Sequence, residues 1–293
     1  MKKVLIYFLN LFVFILMSCS SEDIESFDES LEQSKPETEE ISAFSKISCG
    51  DEITYNILPG DAIDVAANSK NIFKVAGNRG VYAFNESDGR WIYLGGQARR
   101  ITVDGNNVIW ITNHKNEIFR STYYPSTQTN SRWTRMSGKA TDIGANERGD
   151  VYILGDSDRG GEYDVYKREN NRWNKTGGRG KRIAAGNSDA QAWLVNKHSD
   201  IYKRVNGRWQ KFPGKARDIA EGKGSKPHLY IVGNTPKGSN GYDVYVFDQV
   251  WCKVRGIGTN IAVRGDFPLI SNGYNKSYIG CLIRFNGTPL CPF

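Results

Sequence analysis

The sequence predicts an all-β protein, a six-bladed β-propeller of four-stranded antiparallel blades, on three observations. An aromatic residue is followed five positions later by glycine at Tyr55/Gly60, Trp91/Gly96, Trp133/Gly138, Trp173/Gly178, Trp209/Gly214 and Trp251/Gly256. Successive aromatics lie 36, 42, 40, 36 and 42 residues apart, which leaves room for four short strands per unit. The 31 Gly, 15 Tyr, 13 Phe and 7 Trp among 293 residues favour short strands joined by tight turns. One twisted four-stranded blade cannot bury both faces alone, so such units stack around an axis.

Before the repeats, Lys2 and Lys3 precede an apolar run from Val4 to Met17 broken only by Asn10. This is a charged start followed by a segment too short to span a bilayer, and it predicts a cleaved leader over residues 1–18. The run ends in Leu16-Met17-Ser18-Cys19, which resembles the lipobox of bacterial lipoproteins. That resemblance implies lipidation of Cys19 and an outer-membrane address; an ordinary buried thiol is the alternative. Ser20-Ser21-Glu22-Asp23 is similar to the signal that carries some bacterial lipoproteins to the cell surface. Residues 19–47 are acid-rich and poor in large apolar groups, so they read as a solvated tether.

The formal charge of +7 is unevenly spread. Residues 1–47 hold 9 acids and 4 bases, leaving 23 acids and 35 bases, or +12, on residues 48–293, the expected propeller. Composition excludes a disordered chain and a membrane-spanning channel. With only 3 His and 3 Met, it also argues against a histidine-driven or metal-rich enzyme.

Within each unit the residues after Gly alternate as an innermost strand, as in Asp61-Ala62-Ile63-Asp64-Val65-Ala66. The fourth residue after Gly reads Asp64, Arg100, Asp142, Arg182, Asp218 and Asn260, a ring of opposite charges expected to pair across blade boundaries near the axis. The second strand carries Phe73, Trp110, Tyr152, Trp193 and Tyr230, and the third Tyr82, Phe119, Tyr166, Tyr202 and Tyr245. Blade packing needs such side chains, so core is the first reading and sugar stacking the second. Asn206-Gly207 marks a type I′ hairpin between the third and fourth strands of the fourth unit.

The second strand ends at Asn78, Asn113, Asp156, Asn196, Asn234 and Asn272. These either cap turns through their own side chains or contact sugar hydroxyls. On the same face the turn into the next blade carries Arg99, Lys139, Arg179, Lys181, Lys215 and Arg217, a basic rim. The third and fifth units lengthen the second turn, around Asp156-Ser-Asp-Arg-Gly-Gly-Glu162 and Asn234-Thr-Pro-Lys-Gly. The Asp-x-Asp pair lacks the fuller oxygen spacing of a calcium loop, and no metal or cofactor is expected.

Trp209-Gln-Lys-Phe-Pro213-Gly214-Lys-Ala216-Arg-Asp218-Ile219-Ala220, with Ala192-Trp193-Leu-Val-Asn196 and Ile201-Tyr202-Lys203-Arg204, resembles tectonin repeats over residues 55 to about 287. The sixth unit departs from the pattern, with Leu269 where other units carry an aromatic. Tyr55–Gly60 reads as the outermost strand of that unit, so the first strand would close the wheel; Leu290 to Phe293 are the competing donor. Cys49, Cys252, Cys281 and Cys291 are an even set in an exported chain. The preferred pairing is Cys49 with Cys291 and Cys252 with Cys281, with free buried thiols as the alternative.

No catalytic constellation emerges: His114, His198 and His228 lie in different units, and no nucleophile elbow or phosphate loop is present. The resemblance to tectonin-type lectins implies glycan binding at repeated sites; with the basic rim and the lipobox-like leader, the expectation is a lipid-anchored, monomeric binder of anionic or modified glycans. A surface scaffold for protein partners is the second reading. A third, binding of lipopolysaccharide or nucleic acid, rests on charge alone, and nucleic acid is not an expected partner.

Overall fold

The computed structural model describes Cys49 and residues 52–222, 227–283 and 289–290. The expected leader, Cys19 and the tether lie outside the described residues. Six antiparallel sheets, each with four strands along its main path, form the wheel. Counted as blades 1 to 6, their innermost strands are Asp64–Ala67, Arg100–Val103, Asp142–Ala145, Arg182–Ala185, Asp218–Glu221 and Asn260–Arg264. The outermost strands of blades 1 to 5 are Arg90–Gly95, Thr134–Lys139, Arg172–Gly180, Arg208–Lys215 and Val250–Gly258. The hairpin at Asn206-Gly207 has both residues at positive φ, 49° and 78°, as a type I′ turn requires.

Each interface between neighbouring blades is filled by its own hydrophobic cluster. Strand alternation produces this directly. In the second strand of blade 3, Tyr152 and Leu154 pack on Ile183 and Leu194 of blade 4. Val151 and Ile153 pack on Trp110 and Ile118 of blade 2. The second-strand aromatics are therefore core, with Phe73, Trp110, Tyr152, Trp193 and Tyr230 all buried. Leu269 takes the same place in blade 6 and is fully buried against blade 1.

The Trp/Gly column is a clasp between blades. Trp91 Nε1 donates to the Pro59 carbonyl (2.8 Å), Trp133 to Leu94 (3.0 Å), Trp173 to Ser137 (2.8 Å), Trp209 to Gly177 (3.0 Å) and Trp251 to Pro213 (2.8 Å). Each acceptor belongs to the outermost strand of the preceding blade. The following Gly takes a positive φ, 77° at Gly178 and 102° at Gly214, where an added Cβ would run into the indole.

Blade 6 is completed by the N-terminal strand Ile53–Asp61, which pairs antiparallel with Lys276–Ile283 so that Tyr55 stands opposite Gly280. Tyr55 packs over Gly256 of blade 5, taking the place of the tryptophan in the other blades. Leu282 pairs with both Ile53 and Leu290, so the short strand Pro289–Leu290 occupies the other edge of Lys276–Ile283. Closure thus comes from the N-terminal strand; of the competing donor, Leu290 lies on the other edge, and residues 291–293 lie outside the described residues.

The expected disulfide pairing is corrected. Cys49 is bonded to Cys252, with Cα atoms 5.3 Å apart, and neither to Cys291 nor is Cys252 to Cys281. The reason is the path of the chain: before entering blade 6 it passes the outermost strand of blade 5, where Tyr55 lies on Gly256. Cys281 is also disulfide-bonded, and its partner lies outside the described residues.

Candidate functional site

The predicted ring forms at the first residue of each innermost strand. Arg100 reaches Asp64 and Asp142, each at 3.2 Å, and its Nη1 donates to Asn260 Oδ1 at 2.7 Å. Arg182 stands 3.6 Å from Asp218. The carboxylates also bind across blade boundaries to backbone, Asp64 accepting from Ile101 N–H (3.0 Å), Asp142 from Ile183 (2.9 Å) and Asp218 from Ile261 (2.9 Å). Burial raises Asp64 to about 6 although Arg100 pulls it down, and burial raises Asp218 as well. Burial works against the Arg100 cation, but Asp64, Asp142 and Asp218 hold its pKa above the ordinary arginine value. The ring ties neighbouring blades together at the axis, each carboxylate engaged by a cation and a backbone amide.

One residue before the ring, every blade presents a side chain to the mouth of the axis: Ile63, Arg99, Thr141, Lys181, Arg217 and Thr259. A depression of about 530 Å³ is lined by Arg99, Lys181 and Tyr163, and a second of about 430 Å³ by Arg217 and Tyr242. Arg182 lines both. Arg217 lies over the Tyr242 ring at 4.8 Å, and Arg99 donates to the Thr141 carbonyl at 2.8 Å.

The expected basic rim therefore splits in two. Arg99, Lys181 and Arg217 are axial, whereas Lys139, Arg179 and Lys215 remain on the outermost strands and meet carboxylates. Lys139 is 3.7 Å from Asp156, Arg179 3.1 Å from Asp164 and Lys215 2.9 Å from Asp200. Asp164 also binds Lys175 (2.8 Å) and Arg159 (3.5 Å), and Asp200 binds Lys211 (3.1 Å). Hydrogen bonds from Lys215 and then Lys211 hold Asp200 down at about 2. Those from Lys175 and then Arg179 likewise lower Asp164.

The Asn/Asp column is also divided. The Oδ1 atoms of Asn113, Asn196 and Asn272 each accept two backbone amides of their own turn, at 2.8–3.0 Å, and Asn78 accepts that of Gly80 at 2.9 Å. These oxygens are turn caps. Asp156 and Asn234 instead sit on lengthened strands and are exposed. In the Asp-x-Asp insert, Asp156 faces Lys139 and Asp158 accepts the Gly161 amide at 2.6 Å. Among the described residues no group of three or more His, Cys, Asp or Glu could hold a metal ion.

Between blades 2 and 3 a groove of about 190 Å³ brings together Lys139 and Gly138 with Asp156, Asp164, Tyr166 and Trp173. Two aromatic rings, two carboxylates and a lysine thus converge on one pocket. By sequence position blade 5 repeats the set as Lys215, Asn234, Asp243, Tyr245 and Trp251. The third-strand tyrosines and the tryptophans of the Trp/Gly column are each only partly buried, so they can present surface there.

A six-bladed wheel with polar-aromatic grooves between its blades is a propeller scaffold of the protein-interaction or lectin type. Residues 43–159 and 157–240 match the Tectonin domain, and the chain belongs to that family. No curated protein sequence matches it. Among solved structures it is similar to virginiamycin B lyase from Staphylococcus aureus, with a TM-score of 0.53 and 14% identity over 78% of this chain and 99% of that one. It is also similar to the RRP9 WD40 repeats, with a TM-score of 0.54 and 9% identity over 79% and 100% of the two chains. At such identities the likeness is one of fold.

Proposed function

We propose that this protein is a lectin-like binder of anionic or modified saccharides, without enzymatic activity, held on the bacterial cell surface through lipid at Cys19. The groove between blades 2 and 3 carries the reading, because it joins aromatic surface for a sugar face with charged groups for hydroxyls and acidic substituents. Its recurrence by sequence in blade 5 supports binding at more than one site, where modest affinities combine.

Glycan-array binding by residues 20–293, competed by millimolar free sugar, tests it. A flat array at low salt together with a stoichiometric co-purifying protein sinks the lectin reading in favour of the scaffold. Labelling with radioactive palmitate that is lost in Cys19→Ser tests the anchor separately.

A further inference from the structure

We propose that the mouth of the axis is a distinct, single-copy site for a compact small molecule carrying two or more phosphoryl groups. This goes beyond the grooves between blades and does not rest on the lectin reading. Arg99, Lys181 and Arg217 arise at one repeat position in three different blades, so the fold points three cations at one axis. Unlike Lys139, Arg179 and Lys215, none of them forms an ion pair among the described residues. The nearest carboxylates, Asp64, Asp142 and Asp218, are engaged by Arg100 and Arg182 in the ring beneath.

The floor adds a second observation. Arg100 is 8% exposed, lines the depression beside Arg99, and its Nη2 has no hydrogen-bond partner. Arg182 is partly exposed, and its Nε lies 3.6 Å from Asp218, an ion pair longer than a hydrogen bond. Burial lowers the Arg99 pKa most, the neighbouring Arg100 and Arg182 lower it further, and Asp142 and Tyr163 offset part of the shift. Tyr163 and Tyr242, both set by the inserts of blades 3 and 5, wall the two depressions.

Charge selects the ligand. Three unpaired cations match two phosphoryl groups at about −1.5 to −2 each, whereas one carboxylate leaves most of the charge unmet. Guanidinium groups also bind phosphoryl oxygens through two parallel N–H donors. One phosphoryl group sits over Arg99 and Lys181, another over Arg217, and Arg182 between the depressions is within reach of both.

Isothermal titration of residues 20–293 with myo-inositol hexakisphosphate, inorganic phosphate and citrate tests this at low and physiological salt. Expected are one site per chain for the hexakisphosphate, binding at least about a hundredfold weaker for inorganic phosphate, and weakening as salt rises. Arg99→Ser, Lys181→Ser and Arg217→Ser together should weaken the hexakisphosphate at least about tenfold. Lys139→Ser, Arg179→Ser and Lys215→Ser together should leave it within about threefold. If the triple axial variant melts lower without ligand, exposed Arg217→Ser alone replaces it, with about a fivefold loss expected. Several equivalent sites per chain, or a loss confined to the outer variant, overturns the proposal. Equal affinity for citrate assigns the mouth to carboxylates and overturns it too. None of these outcomes decides whether the grooves bind glycan, which the array tests separately.

Discussion

The indole N–H of Trp209 donates to the carbonyl of Gly177 in the preceding blade, and its ring lies on the next glycine, Gly178, whose φ of 77° excludes a side chain. The same clasp recurs around the wheel, so two residue types five positions apart serve one purpose. Trp209→Phe removes the hydrogen bond but keeps the ring and should cost about 1 kcal/mol. Gly178→Ala meets both the positive φ and the indole and should cost more, about 2–4 kcal/mol. Urea denaturation of the two variants measures the order; the reverse order overturns this account of the clasp.

At the axis, pH acts through Asp64. Its folded value of about 6 lies above the 3.8 of a free aspartate, so the folded protein holds this proton more tightly than the unfolded chain does. Stability from this group is complete below pH 3.8 and is lost as pH rises through about 6. The loss is on the order of 3 kcal/mol. Asp64→Asn should flatten the wild-type decline between those values, seen as a narrowing gap in melting temperature between pH 4 and 7. Arg100→Met, which strands Asp64 and Asp142, should destabilise by about 3–5 kcal/mol at pH 7.

The bond between Cys49 and Cys252 spans 203 residues and ties the start of blade 6 to blade 5. Peptide mapping without reduction should recover Cys49 joined to Cys252. Cys49→Ser with Cys252→Ser should lower stability by about 3–5 kcal/mol, read by guanidinium denaturation.

Asn196 and Asn234 occupy one repeat position but differ in what they touch. Asn196 accepts the amides of His198 and Asp200, so Asn196→Ala should cost about 1 kcal/mol. Asn234 is exposed on a lengthened strand, and Asn234→Ala should change stability by less than about 0.5 kcal/mol. Thermal melting separates the two.

Most of the wheel was legible because its parts repeat. The Trp/Gly column, the charged ring and the closing strand around Tyr55 could be read from offsets alone. The disulfides could not, since four cysteines allow three pairings and the choice depends on how the chain passes blade 5. The split of the basic rim carried a signal that the residue type concealed. Lys139, Arg179 and Lys215 stand one residue after Gly, still on the outer strand, whereas Arg99, Lys181 and Arg217 stand three after it, beside the next inner strand. Offset, not charge, separates outer cations from axial ones. The caps at Asn113, Asn196 and Asn272 and the exposed Asp156 and Asn234 likewise differ through the inserts beside them.

The closing strand also imposes an order of events. Tyr55 cannot meet Gly280 until all six inner strands have been made, because their pairing joins the first strand of the wheel to the last blade. During synthesis the first strand therefore waits without its sheet while blades 1 to 5 assemble, and the contact that makes the wheel whole is among the last to form. A chain truncated a few dozen residues early would lose more than one blade's worth of structure: it would leave two open edges and a first strand with nowhere to go.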